Sequence, residues 1–526
     1  MASTTAAGGV LVIGGRTYER QDAQQAIPSP NIWQLVKKVR FENTLRQLLG
    51  RVGPSCEENK YGLVDYLKKE LGELGATFYM DDSAERARQN KVTCEMSAGQ
   101  ALTPTVGNLI AKVPASVSGR PSINISMHMD CQAFSRPITL ETVGDIVRTV
   151  GGTQMCSDNQ LGIAETLEIL KVLKENNIPH GEINLMFAWG EEAGVFGVQN
   201  SSPDYFVGDV FFILDGDSKM LVRGTGDIRF GTATIEAAKS AAIAAKVLVA
   251  MGATPSRTLK DDSSTVMNIG YLTGGIPAEN NWLSANANII PDATFLTFTS
   301  LTDEESDALL LSAGKKGAAA TFQTNSLTGA GQLFIKGVVK HPALIDEGGL
   351  NSCHVGALLM SENADLQSKL VDFQCGSAGS SAPAGFVETS SADKKTFAWQ
   401  MRTPALEQSQ AYVDAMKASL EDICKTTNAK CEWSENMYLH GYNIPADSPP
   451  IVMFKNAAAA TGIAISEPNI LLGGSNGNYI YPMTGRKPVL IIPTGQNETE
   501  YNTSEAYDSL YLLGGLMLET ARWQRK

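Results

Sequence analysis

The chain is constrained most by a series of apolar runs that each stop at a histidine or an acid. Ile123-Asn124-Ile125-Ser126-Met127 leads into His128-Met129-Asp130, residues 183–189 lead into Glu191-Glu192, and residues 210–214 lead into Asp215. A further acid, Asp158, lies in Cys156-Ser157-Asp158-Asn159, just ahead of a helical pattern over 162–173. Runs this short and apolar predict buried strands of an α/β sheet. Strand ends bearing His, Glu-Glu and Asp, with another Asp at a helix start, would hold ligands rigidly at one sheet edge. That arrangement carries enough charge for two cations about 3.5–4 Å apart.

Composition narrows the partners. At 526 residues the chain exceeds one ordinary core and predicts two or more domains. A hydrophobic fraction of 43% with 19% charged residues describes a globular chain. The net charge of −13 argues against nucleic acid or an anionic membrane as the main partner. No secretory signal or membrane span is read. The eight cysteines show no CxxC pair, so reduced thiols and a cytoplasmic location are expected, and sequons such as Asn200-Ser201-Ser202 carry no meaning.

The pattern alternates helix and strand from about residue 30 to 222. Leu63, Leu67, Leu71 and Leu74 predict a helix over 58–75, and Ile163, Leu167, Leu170 and Leu173 predict a second. Two rough copies of a strand-helix-strand-strand-helix unit follow, with strands expected at 265–271, 293–299, 333–339, 386–390 and 396–401. The first copy lacks an expected strand between Gly226 and Ala237. Apolar strand character resumes at Val489–Ile492. The division is therefore 1–224 and 427–526 as one α/β sandwich domain, with 225–426 as an inserted α+β domain containing a pseudo-repeat.

The motifs His128-Met-Asp, Ser157-Asp-Asn-Gln-Leu-Gly-Ile-Ala-Glu165, Pro179-His-Gly-Glu-Ile183 and Gly190-Glu-Glu-Ala-Gly194 together resemble the co-catalytic zinc exopeptidases that include peptidase T and the aminoacyl-histidine dipeptidases. The likeness extends into Gly274-Gly275, Asn288-Ile-Ile-Pro291 and residues 441–451, covering roughly 30–526. It implies a zinc-exopeptidase-type catalytic domain with a lid, one or two zinc or other divalent ions, and a short peptide or dipeptide substrate. By position, His128 and Asp215 would bind the first metal, Asp158 would bridge, and Glu192 would bind the second. Asp130 would orient His128, and Glu191 would be the general base that activates water. Asn288 and Arg402 would contact substrate, Arg402 being equally suited to a structural salt bridge.

Two positions depart from the family pattern. Relatives place a second-metal histidine four residues before a glutamate; here Tyr501 stands four residues before Glu505, and a phenol is a poor ligand beside imidazole. The lid histidine of active relatives is absent from the first copy, while Lys336-Gly337-Val338-Val339-Lys340-His341 occurs in the second. His341 would supply an oxyanion donor or be a remnant. The pattern thus implies a metal-dependent exopeptidase or dipeptidase with a degenerate second site. The alternative is a catalytically impaired pseudo-peptidase that serves as a binding or structural scaffold with protein partners.

Overall fold

The apolar runs become a sheet with a parallel centre. In the computed structural model the described residues are 9–13, 15–21, 32–95, 101–131, 136–150, 154–217, 219–254, 258–259, 262–273, 290–338, 348–376, 393–496 and 500–526. The chain divides into two units: Met1–Thr225 with Tyr442–Ile470 and Gly474–Lys526, and Gly226–Gly441 with Leu471–Gly473. In the first unit, strands β1 (Thr77–Met80), β2 (Leu109–Val113), β3 (Ile123–His128), β4 (Ile183–Ala188), β5 (Val210–Gly216) and β6 (Val222–Thr225) precede the second unit. Helices α1 (Lys38–Leu49) and α2 (Leu63–Leu74) precede β1 in sequence, and α3 (Ser157–Glu175) lies between β3 and β4.

The second unit repeats one motif. Its first copy runs β7 (Asp227–Glu236), α4 (Ser240–Ala250), β8 (Asp262–Thr273), β9 (Ala293–Phe298), α5 (Asp303–Lys315) and β10 (Ala319–Thr324). The second runs β11 (Gly331–Lys336), α6 (Ser352–Glu362), β12 (Leu370–Gly376), β13 (Lys394–Thr403), α7 (Ser409–Thr427) and β14 (Lys430–Leu439). The strands form one sheet in the order β10-β11-β9-β12-β8-β13-β7-β14. Exchanging the two copies maps that order onto itself read backwards, so the sheet has an internal pseudo-two-fold. Alanine-rich α4, with α6 and α7, packs on an apolar core that includes Phe373, Phe397, Trp399 and Met401.

The chain then returns to the first unit with β15 (Tyr442–Asn443), α8 (Pro449–Thr461), β16 (Val489–Pro493) and α9 (Thr503–Thr520). The first sheet has the order β15-β6-β16-β5-β3-β4-β2-β1. Strands β16, β5, β3 and β4 run parallel, and β3 and β4 are buried at every residue, as a covered parallel sheet requires. Helix α3 is buried along nearly its whole length, packed against β3, β5, α1 and α9.

Several expectations are corrected. All eight cysteines are paired, as Cys56–Cys94, Cys131–Cys156, Cys353–Cys375 and Cys424–Cys431, so the reduced thiols expected from spacing are not found. Pairing follows tertiary proximity, which a search for CxxC cannot see. The strand thought missing between Gly226 and Ala237 is present as β7; threonine and glycine dilute its apolar signal. The helix expected over 58–75 starts only at Leu63, after Gly62 in a left-handed conformation. β12 was unforeseen, while the strand expected at 386–390 lies outside the described residues. β14, assigned by sequence to the returning segment, pairs with β7 in the second unit.

Candidate metal centre

Because β3, β4, β5 and β16 are parallel, their carboxyl ends share one edge, where α/β sheets present ligands. His128 ends β3, Glu191 and Glu192 follow β4, and Asp215 is the penultimate residue of β5. Asp158 comes from the start of α3, where Asp158 and Asn159 are non-helical and joined by a cis peptide. Gly162 lets α3 close on β5: a Cβ there would lie 3.1 Å from Leu214 and 2.9 Å from Asn159 Oδ1.

The side chains converge. His128 Nε2 lies 2.8 Å from Asp158 Oδ1 and 3.5 Å from Asp215 Oδ1, while Nδ1 lies 3.3 Å from Asp130 Oδ1. Ligand atoms of His128, Asp158 and Glu192 are all within 4.8 Å of one another. Asp130 is wholly buried; its Oδ1 accepts from the Glu191 amide at 3.1 Å, and its Oδ2 from the Glu192 amide at 3.2 Å and Ser55 Oγ at 2.6 Å. One carboxylate therefore sets both the imidazole and the Glu-Glu turn. On the other flank, Asn159 Nδ2 and Gln496 Nε2 each donate to Asp215 Oδ1 at 3.1 Å.

The electrostatics are those of crowded acids. Burial disfavours a charged His128, but Asp130, Asp158 and Asp215 outweigh it and hold the imidazole well above its ordinary pKa. Burial, then the charge of Asp215, holds Glu191 well above the usual carboxylate range, and the same two causes raise Asp158. Burial also opposes ionisation of Asp130, yet His128 prevails and keeps it below its ordinary value. Carboxylates that raise one another's proton affinity must bind protons or a cation. An imidazole nitrogen with carboxylate oxygens is a donor set that suits zinc and its neighbours among divalent ions, so the residues fit such an ion.

The other expected residues are spread more widely. Tyr501 lies on the short strand Glu500–Asn502, paired with Val147, and is 7% exposed. Burial, then the charge of Glu42, pushes its phenol up to about 12, with Arg46 opposing. Its charged neighbours are thus on α1. Arg402 is buried in the second unit, its Nε donating to Gln400 Oε1 at 2.6 Å and its Nη1 to the Leu472 carbonyl; burial lowers it to about 9. Asn288 and His341 lie outside the described residues. Of the remaining histidines, His180 faces the Gly181 carbonyl, and His354 ties Thr254 to the Ile269 amide.

Sequence reasoning missed Ser55, Glu58, Asn159 and Gln496. Glu58, wholly buried, accepts from the Cys56 amide at 2.8 Å and the Gly190 amide at 3.1 Å. Burial, then the charge of Asp130, raises its carboxyl well above normal. Gln496 was open to the rule that found the ligands, since it follows the apolar run of β16. Ser55 and Glu58 had no such signal.

No protein-family profile matches the chain. It is 26% identical over 246 residues to the uncharacterized protein YqjE of Bacillus subtilis, covering 44% of this chain and 60% of the relative. It is 31% identical over 157 residues to peptidase T of Salmonella arizonae, covering 24% of this chain and 37% of the relative. The chain thus spans less than two thirds of either curated relative. In fold it is similar to the crystal structure of aminopeptidase PepT from Bacillus cereus, with a TM-score of 0.61 at 19% identity, covering 93% of this chain and 100% of that one. The chain is thus similar to peptidase T over part of its sequence, and it shares its fold with aminopeptidase PepT along nearly its whole length.

Proposed function

We propose that the chain is a metal-dependent exopeptidase that hydrolyses short peptides, with His128, Asp158 and Asp215 as its tighter metal site and Glu192 extending toward a weaker second one. The observation that carries this reading is His128 Nε2 set between two carboxylates while Asp130 stands behind Nδ1. A bound divalent cation would polarise the scissile carbonyl and make a water easier to deprotonate. Glu191, whose proton affinity is raised by burial, takes the water's proton and passes it to the departing amine. Asp130 keeps the imidazole oriented and, through the two amides it accepts from, keeps Glu191 and Glu192 at the same edge. Arg402 is proposed to receive a substrate carboxylate, and Asn288 and His341 remain proposed substrate and oxyanion contacts. Zinc is the proposed ion.

The pseudo-peptidase reading is supported by one observation: Tyr501, at the position of the expected second-metal histidine, is buried on a short strand paired with Val147, and a phenol is a poor ligand beside imidazole. A dipeptide and tripeptide panel with zinc, cobalt or manganese separates the two, with Glu191→Gln as control. Turnover lost in the control supports the peptidase; a folded protein inert with every metal supports the scaffold. Disulfides persist in oxidising compartments and are rare in the cytosol. The four bridges therefore weigh against the cytoplasmic location suggested by cysteine spacing.

A further inference from the structure

One disulfide, Cys131–Cys156, attaches to the chain within a few residues of two proposed metal ligands, His128 and Asp158. Cys131 follows Asp130 directly, and Cys156 precedes Asp158 by two residues, so one covalent bridge joins the β3 end to the start of α3. Both sulfurs belong to residues with no exposure. Cys131 is further tied by pairing with Pro54 and by a hydrogen bond from the Ser55 amide at 3.3 Å. Cys156 has φ +66°, a left-handed conformation that a non-glycine residue adopts only when its surroundings impose it. The short stretch from Cys156 to Asn159 contains that residue and the non-helical pair Asp158 and Asn159, so helical hydrogen bonding does not fix it. The bridge supplies what the helix cannot.

A second bridge, Cys56–Cys94, stands beside Gly190, ahead of Glu191 and Glu192. Cys56 has φ +71°, its amide donates to Glu58, and Glu58 also accepts from the Gly190 amide ahead of Glu191 and Glu192. Its partner, Cys94, puts Sγ 3.6 Å from where a Cβ on Gly190 would stand. The remaining two bridges are both in the second unit.

We propose that Cys131–Cys156 is a positioning element of the metal centre: it holds Asp158 against His128 and Asp215, so that tight metal affinity belongs to the disulfide-bonded chain. This rests on the metal-binding reading above. The test is cobalt titration, followed by visible absorbance and by competition with a chromophoric chelator, on the full chain, on C131S/C156S and on C424S/C431S. Supporting partners around metal ligands are worth 10–100-fold in affinity when removed. The expected result is a loss of about that size in C131S/C156S, with C424S/C431S within about twofold of the unaltered chain. Equal affinity in all three would overturn the proposal and leave the metal reading intact. No cobalt binding by the unaltered chain would overturn both. C131V/C156A, which keeps the buried volume without the covalent link, takes the place of the serine variant if that does not fold. If neither variant folds, the bridge serves stability alone and the proposal fails.

Discussion

Asp130 spends one carboxylate oxygen on His128 and the Glu191 amide, and the other on the Glu192 amide and Ser55. Removing it would free an imidazole and two ligand-loop amides together. Asp130→Ala is therefore expected to weaken metal binding by about 10–100-fold, read by chelator competition. Glu191→Gln should behave differently: the metal stays, and the rate falls by about 10²–10⁴-fold, because only proton transfer is lost. Tyr501 provides a pH signature. Its phenol is raised to about 12 from the ordinary 10.0, by burial first and then by Glu42. Below the ordinary value both states keep the proton. Between the two values the unfolded chain releases it and the folded chain does not, so stability falls as pH rises through that window. Tyr501→Phe should flatten that decline, seen as a smaller difference between urea midpoints taken at about pH 9 and about pH 11.

Helix α3 and strand β5 meet with no room to spare. At Gly162 a methyl group would press on Leu214 and on the Asn159 side chain that donates to Asp215. Gly162→Ala should cost about 1–3 kcal/mol, as overpacking does, despite alanine's better helix propensity. Urea unfolding checks the energy, and a parallel loss of metal affinity would show the strain reaching Asp215. In the second unit, Thr302 caps α5 by accepting from the Glu305 amide while Glu305 returns a bond to the Thr302 amide. The run Thr302-Asp-Glu-Glu305 has the spacing of a capping box, whereas the threonines and glycine of β7 mask its strand period.

The proposed ligands all belong to one of the two units: His128, Asp158, Glu192 and Asp215 lie within Met1–Thr225. A ligand that binds only folded protein stabilises the unit holding it. Calorimetry is expected to show two transitions, of which only one rises with added zinc and falls with a chelator. A single transition that moves as a whole would show the units unfolding together. Among the described residues no helix is long and apolar enough to cross a membrane.

The order of apolar runs by itself determined the buried strands, and with them the edge at which His128, Glu191, Glu192 and Asp215 stand, because a strand covered on both faces is mostly apolar and carries its charged groups at its ends. The duplicated second unit was legible for the same reason, through recurring periodicity. Only the tertiary structure decided the rest. Ser55 reaches Asp130 across 75 positions, and Asn159 reaches Gln496 across 337, distances over which local pattern carries no information. Tyr501 is expected from its position to stand where relatives have a ligand histidine, but its pairing with Val147, far off in sequence, is a tertiary fact. The cysteines pair because folding brings their Cα atoms within bonding reach, 5.4 Å for Cys131 and Cys156. Spacing along the chain records none of that, since a disulfide needs only two thiols that meet in space.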